Sequence, residues 1–551
     1  MPNVEPAGLA VPGFRGIIRD DDDARGVYAE AAGIQRRLPR AVAVPADAGD
    51  VVTLVRWAAA TGAALVPRGS GSSMAGGAIG DGVIVDLSRL SDIGPVDASA
   101  RRVHVGPGVL LGALNAALLP HRLRFPIDPS SWSFCTLGGM TSTNAAGART
   151  VSVGATRRWV AAIDCVFADG SRALVRRGES APNVPAVTRF LADAAPQLRR
   201  READRPSRHP GVRKESSGYG IADWARGGGS DEDLVDLLVG SEGTLAIFVG
   251  VELILQPIPA ATASLLAAFP SLETAVDAAA VARAAGASAC ELLDKTFLDI
   301  AAAGPLPVEI PLATEAVVIA ETEASSAAAA LGAIAAISTA CTNAGATAVR
   351  VADTTEAEKQ LWALRHAASP ILAKLDPSLK SMQFIEDGAV PPSRLADYVR
   401  GVRAALERQQ IRGVIFGHAG DAHIHVNPLV DVRRPDWRAR VDALLAEVTA
   451  LVASLGGTVA GEHGDGRLRA PLLRAVWGGE IVERFALVKR AFDPQGILNP
   501  GAKVALPDDI GIGDVKYDPA LAPLSPSARR ALDHVEQARA YSAFRLELLD
   551  R

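Results

Sequence analysis

The sequence predicts an α+β fold of two or three domains, on three observations. Residues 41–257 alternate short β runs with glycine turns. From about residue 260 to 466, longer helical stretches separate the β runs. The length of 551 residues exceeds one typical domain.

Taking the elements in order, Asp50 is placed to cap a helix over residues 50–61, where Val51, Leu54, Val55 and Ala58 recur at helical spacing. A strand over 64–68, a glycine-rich loop over 69–82 and a strand over 83–87 follow. Further on, helices are expected over 272–285 and in a stretch to residue 408 that Ser393 can cap. Strands are expected over 316–321 and 414–417, and a helix over 479–492. Beyond Lys503 a Pro/Gly-rich linker leads to a helix with Ser525 as cap and Pro526 in its first turn. The arginine-rich stretch over 199–214 reads as a solvated insertion, with a docking patch for an acidic redox partner as the sharper alternative.

Bulk properties narrow the function. A net charge of −5 gives no reason to expect nucleic acid or an anionic membrane surface as partner. Cys135, Cys165, Cys290 and Cys341 form no Cys-x-x-Cys pair, which argues against an iron–sulfur cluster, a zinc ribbon or a disulfide scaffold and suits a reducing compartment. The alanine-rich stretch over 327–337 is too short to span a membrane, so no transmembrane segment is expected. The N-terminus lacks a charged-then-apolar signal pattern. The expected location is the cytoplasm, with room for a peripheral position at the inner face of the membrane.

The loop Pro67-Arg68-Gly69-Ser70-Gly71-Ser72-Ser73-Met74-Ala75-Gly76-Gly77 is not a Rossmann loop, because Met74 stands where a glycine is required and a strand follows instead of a helix. What remains is a nest of backbone N–H groups that suits a pyrophosphate, and alone it reads equally as a structural turn. It is followed by Asp128-Pro129-Ser130-Ser131, Thr136-Leu137-Gly138-Gly139, Asn144-Ala145-Ala146-Gly147, Lys214-Glu215-Ser216-Ser217-Gly218-Tyr219 and Gly240-Ser241-Glu242-Gly243-Thr244.

Four of the nine histidines lie in two short runs, His-Ala-Gly-Asp-Ala-His-Ile-His ending at His425 and Gly-Glu-His-Gly-Asp-Gly starting at Gly461. His423 and His425, two apart on an expected strand, project to one face; His418 ends the facing strand, and Glu462 and His463 come from another loop. Two histidines and a carboxylate make a three-ligand site with open positions. The bland alternative, a set of satisfied hairpin histidines, requires a partner for every buried imidazole.

In these motifs, in this order over residues 38–504, the chain resembles the FAD-linked oxidases and dehydrogenases of the vanillyl-alcohol-oxidase type, and within them the D-2-hydroxyacid dehydrogenases of the D-lactate, D-2-hydroxyglutarate and glycolate kind. The resemblance implies a two-subdomain FAD-binding domain (PCMH type) over 38–259 behind an N-terminal extension over 1–37. It further implies an α+β cap domain with an antiparallel sheet over 260–470, a C-terminal return to the FAD domain over 471–504, and a linker and helical tail over 505–551. It assigns Pro67, Arg68, Gly69, Ser70, Gly71, Ser72, Ser73 and Gly76 to the pyrophosphate. Pro129, Thr136, Gly138, Gly139, Thr143, Asn144 and Gly147 go to the flavin side, completed by Glu242, Gly243, Ile247 and Asn499. Some relatives attach FAD through a histidine in the glycine loop. Ser72 and Ser73 stand in that loop here and Cys135 lies in a different motif, so non-covalent FAD is expected.

For the substrate side, the resemblance makes His418, His425 and Glu462 ligands of a divalent metal, zinc by ligand type, and His463 the catalytic proton acceptor. Arg365, in Leu361-Trp362-Ala363-Leu364-Arg365, is implied as the carboxylate clamp; a surface ion pair is the alternative. Ser369, one helical turn on, is placed to add a hydroxyl. The chain departs from the family pattern at Ala422, where glycine is usual, and at His423, where asparagine is usual, so His423 is a candidate extra ligand or substrate contact. Ile385 stands where some relatives carry a substrate lysine. The pair Glu386-Asp387 reads equally as a substrate element and as a plain turn.

The expected reaction is FAD-dependent, metal-assisted oxidation of a D-2-hydroxyacid to the 2-oxoacid. Electrons would pass to a separate acceptor such as an iron–sulfur protein, electron-transfer flavoprotein, cytochrome or quinone, and the reading allows a homodimer. The competing readings are a non-redox flavoenzyme similar to alkylglycerone-phosphate synthase, a non-catalytic FAD-binding subunit of a larger dehydrogenase complex, and a zinc hydrolase, which leaves the N-terminal motifs unexplained.

Overall fold

The structure is a computed structural model that describes residues 9–226, 233–302, 304, 306, 308–352, 354–366 and 378–550. Three larger sheets organise it, beside a two-stranded one that pairs Gln256–Pro257 with Leu123–Arg124. The first orders its strands Ile17–Arg19, Ala41–Val44, Val83–Asp86 and Leu65–Arg68, the last three mutually parallel. The glycine loop therefore joins two parallel strands that lie side by side, which places it at the C-terminal end of Leu65–Arg68. The second sheet, Arg102–Val105, Ile247–Ile254, Val160–Val166 and Arg172–Arg176, is antiparallel throughout. The third, built from the second half of the chain, is also antiparallel and is the sheet expected of the cap.

Small apolar residues let helices lie close on the cap sheet. Helix Ala327–Asn343 buries Ala330, Ile334, Ile337 and Cys341, a single stripe at helical spacing. That stripe packs with Leu265, Val318 and Leu292 of the sheet in one core. No helix of the described residues is long and apolar enough to cross a membrane.

Two local expectations change. Helix Ala48–Thr61 starts earlier than expected and is capped by Asp47. Asp50 sits inside its first turn, buried, and reaches back to accept from the backbone N–H of Gly16 at 2.8 Å and Ala46 at 2.9 Å. Ser393 lies in a 3-10 turn, Pro392–Arg394, and makes no side-chain cap to helix Leu395–Arg408, whose N-cap position is Arg394. The arginine-rich stretch is ordered through helix Ala195–Asp204, whose Leu198 and Glu202 are buried; Glu202 pairs with the buried Arg484 at 2.8 Å, and Arg199 covers the Trp224 ring.

The C-terminal segment does not hang free. Helix Pro526–Ala538, capped by Ser525, packs Ala528, Ala531, Leu532 and Val535 against Val27, Tyr28, Val42, Val66 and Ile84. It covers one face of the first sheet.

Candidate active site

A cavity of about 820 Å³ runs from the glycine loop to the histidine runs. Its first half is built by backbone that close packing forces on the sequence. Gly71 has φ +75°, and a Cβ there would lie 2.4 Å from Arg68 Nη2. At Gly69 a Cβ would meet Thr136 Oγ1 at 2.2 Å, so the loop and the Thr136 motif touch only because that position is glycine. Thr136 in turn caps the short helix Leu137–Thr143 by accepting from Gly139 N–H.

Of the residues expected on the cofactor side, Pro67, Arg68, Gly69, Ser70, Gly71, Ser72, Ser73, Pro129, Thr136, Gly138, Gly139, Thr143, Glu242 and Gly243 line the cavity. Five others stand behind its wall. Asn499 donates to Gly77 O and Glu242 O, tying the C-terminal return to the loop. Asn144 accepts from Arg157 N–H, Gly147 O accepts from Lys214, Ile247 lies buried in its strand and Gly76 packs on Gln35. The Arg68 guanidinium lies under the loop and donates to Tyr28 O, Glu30 O and Ala78 O. Glu242 accepts from the backbone N–H of Asp465 at 2.7 Å and Gly466 at 2.9 Å, joining the flavin side to the second histidine run.

The second half is a hairpin. Strands Arg412–His418 and His423–Asp431 pair with His418 opposite His423 and Phe416 opposite His425, which brings all three histidines to one face. Ala422 closes the turn at φ +55°, the conformation for which glycine is the usual residue. His418, His423, His425 and Glu462 each bring a ligand atom into one buried cluster. His418 Nε2 and His425 Nε2 are 3.3 Å apart, and Glu462 Oε1 is 3.4 Å from the first and 3.3 Å from the second. An ion bonded tetrahedrally at about 2.1 Å spaces its donors roughly 3.4 Å apart, so these three atoms fit one.

Their outer partners fix the orientation. His418 Nδ1 bonds Glu291 Oε1 at 2.5 Å, and His425 Nδ1 bonds Glu386 O at 2.9 Å, so both rings turn Nε2 inward. Lys214 Nζ, fully buried, donates to Glu462 Oε2 at 2.8 Å and leaves Oε1 facing the histidines. Burial opposes the charge on Glu462, but Lys214 and His418 outweigh it and hold the carboxyl well below its usual range. His423 is committed differently: its Nε2 bonds Asp387 at 2.8 Å, its Nδ1 has no partner, and burial pushes the ring down to about 3, so it is neutral.

The Glu386-Asp387 pair is the hub of this region. Asp387 accepts from the backbone N–H of Glu462 and His463, and Glu386 accepts from His463 Nδ1 at 2.7 Å and from the buried Arg469. Burial works against a charge on His463, but Glu386 and Asp387 outweigh it and raise the ring to about 10. His463 Nε2 lies 3.5 Å from Glu462 Oε1, and the residue lines the cavity. Arg365 lines it too, on helix Thr355–His366, with Nε bonded to Glu291 at 2.6 Å and its guanidinium 4.3 Å above the Phe416 ring. Ser369 lies outside the described residues.

Glu291, Lys214 and Arg469 are functional neighbours that sequence reasoning missed as such. Each is a buried charge whose partner is distant in the chain, and only Lys214 stood within a motif already singled out. The tail residues Lys516, Tyr517, Glu536, Arg539 and Tyr541 also line the cavity, in a segment expected to be a linker and a helix.

Known proteins resemble the chain along both of its halves. The sequence matches the FAD binding domain over residues 39–174 and the C-terminal domain of FAD linked oxidases over residues 258–502. It is 28% identical to glycolate oxidase subunit GlcD of Bacillus subtilis over 88% of this chain and 94% of that one. It is 30% identical to D-2-hydroxyglutarate dehydrogenase of Pseudomonas putida over 90% of this chain, which spans 51% of that longer protein. It is 28% identical to D-lactate dehydrogenase of Archaeoglobus fulgidus over 84% of this chain and 91% of that one. Among solved structures, 4-ethylphenol oxidase of Gulosibacter chungangensis superposes with a TM-score of 0.62 at 16% identity, covering 89% of this chain and 94% of that one. An alkyldihydroxyacetonephosphate synthase superposes with a TM-score of 0.60 at 14% identity, covering 90% and 87%. At those identities the superpositions speak to the fold alone. With its paired domains, its glycine loop opening on the cavity and its matches along both halves, the chain belongs to the FAD-linked oxidase family, in the branch of the D-2-hydroxyacid dehydrogenases.

Proposed function

We propose that the protein oxidises a D-2-hydroxyacid of the D-lactate or D-2-hydroxyglutarate type to its 2-oxoacid, with non-covalent FAD and a divalent metal, zinc by ligand type. The observation that carries this reading is the single cavity lined by the glycine loop at one end and by Arg365, His425, Glu462 and His463 at the other. A substrate bound among the latter faces whatever the loop holds. His418, His425 and Glu462 would hold the metal, and the cradle from Pro67 to Ser73 with Thr136, Gly138 and Gly139 would hold the FAD.

The chain's own residues divide the work. Arg365 grips the substrate carboxylate with the part of its guanidinium that Glu291 does not use, since Glu291 takes Nε. His463 Nε2 takes the hydroxyl proton, while Glu386 holds the ring by Nδ1 and stabilises the imidazolium formed. Bound metal supplies positive charge that lowers the pKa of the hydroxyl and of the neighbouring His463 ring. Bound FAD supplies the acceptor for the Cα hydride. Cys135, also at the cavity, has its thiol pushed up to about 11 by burial, which supports non-covalent attachment. A separate iron–sulfur protein, electron-transfer flavoprotein, cytochrome or quinone would take the electrons onward.

The test is anaerobic: flavin absorbance is followed while D- and L-2-hydroxyacids are added, with and without chelator. Bleaching by one or more D-acids, slowed by chelator, is expected. Protein without FAD, or flavin that no D-2-hydroxyacid bleaches, overturns the reading.

A further inference from the structure

The segment after residue 502, beyond both family matches, folds back onto the cofactor end of the cavity. Arg545 Nη2 donates to Ser70 O at 3.1 Å, gripping the glycine loop from beneath. Its other bonds go to Ala540 O and Ala543 O. Arg68 lies under the same loop, with carbonyls as its hydrogen-bond partners and its guanidinium 5.1 Å from the centroid of the Tyr28 ring. The two residues are 2% and 3% exposed, and the Nε of each has no hydrogen-bond partner. Neither forms an ion pair among the described residues. Asp86, beyond ion-pair distance, is engaged by Tyr28 Oη. Buried charges ordinarily have a counter-charge. Two without an ion-pair partner, beneath a nest of backbone N–H groups, create a positive potential that an anion on the loop would compensate.

The same segment walls the cavity. Tyr541 packs on Phe134 at 5.2 Å between ring centroids, and Arg539 covers that ring from 5.3 Å. Lys516 anchors the wall to Ala31 O and to Glu536. Tyr541, Arg539 and Lys516 all face the cavity.

We propose that residues 515–545 are part of the cofactor site. Arg545 acts with Arg68 as the buried counter-charge for the diphosphate of a flavin dinucleotide, and the Tyr541–Phe134 pair forms the outer wall that retains it. This rests on the reading that the cavity holds FAD. The helix and its Arg545 return would then serve binding as well as packing on the first sheet.

Flavin-stripped full-length protein is titrated with FAD and with riboflavin, which lacks the diphosphate. Arg545→Met should raise the Kd for FAD about tenfold or more and leave riboflavin within about twofold. Unchanged FAD affinity, or equal weakening of both flavins, overturns the proposal. If Arg545→Met does not fold, the decision passes to Tyr541→Ala, where FAD release from the holoprotein should be about fivefold faster or more; an unchanged rate overturns it. Wild-type protein that takes up no FAD refutes the parent reading. Wild-type protein that binds FAD, with variants that bind it equally well, refutes this one alone.

Discussion

Replacing Lys214 with methionine separates the metal reading from a purely structural one. The ammonium is fully buried and bonded to Glu462 Oε2 at 2.8 Å and Gly147 O at 3.0 Å. Removing it takes the ammonium partner from a buried carboxylate, which costs about 3–5 kcal/mol. An unfolding entropy of about 2.1 cal/mol/K per residue gives roughly 1.2 kcal/mol/K for a chain of this length unfolding as one unit, so Tm falls by about 3–4 °C. A divalent ion on Glu462 Oε1 replaces the lost counter-charge. It also no longer faces a unit positive charge about 5 Å away, a repulsion of about 7 kcal/mol at an effective dielectric of roughly 20. Losing the bond that orients Glu462 works the other way, by about 10–100-fold in affinity, or roughly 1.4–2.8 kcal/mol. The charge term is the larger, so Lys214→Met should bind zinc at least about tenfold more tightly, and zinc should recover the lost Tm. Calorimetric titration of chelator-treated protein and thermal unfolding with and without zinc measure both quantities. Affinity that is unchanged or weaker in the variant refutes the reasoning, and zinc that shifts neither protein removes the metal site itself.

Three further outcomes are expected. In chelator-treated protein, NMR titration should give the His463 ring a pKa near 10, moving down in Glu386→Gln; a wild-type value near 6.5 contradicts the network. Because that folded value lies above the unfolded one, the ring's contribution to stability is complete below about pH 6.5 and is lost as pH rises through about 10. Arg365→Met should lose one or more charge-assisted hydrogen bonds of about 1.5–3 kcal/mol, slowing flavin reduction by hydroxyacid at low substrate by about 10–100-fold with FAD content retained; stopped-flow absorbance checks it. Ala422→Gly should raise stability by about 1 kcal/mol, read by thermal unfolding, since alanine at φ +55° bears a steric penalty that glycine does not.

Much of the site was legible in local patterns. The two-residue spacing of His423 and His425 and the short turn back to His418 are enough to bring three imidazoles to one face of a hairpin. Gly69, Gly71 and the Thr136 motif mark close backbone approach without any knowledge of the partner. What could not be read is whatever depends on distant pairing. Glu291 holds both His418 and Arg365, yet its own neighbours in sequence form an ordinary buried strand. Arg68 sits in a phosphate-type motif while its guanidinium serves the carbonyls behind it, a direction that the motif does not encode. Asp47 and Asp50 are both plausible helix starts, and only the tertiary bonds of Asp50 to Gly16 and Ala46 decide between them. The tail's role depends on a contact between Arg545 and Ser70, 475 residues apart, for which local sequence carries no signal.

In the proposed reaction a hydride leaves the Cα of a D-2-hydroxyacid for a flavin held by the glycine loop. The most direct test of this step is single-turnover anaerobic reduction of the protein's flavin by D-lactate and D-2-hydroxyglutarate, each protiated and deuterated at C2. Absorbance bleaching by at least one of them, slowed by the deuterium, is the predicted result. A flavin that stays oxidised with both would contradict the claim.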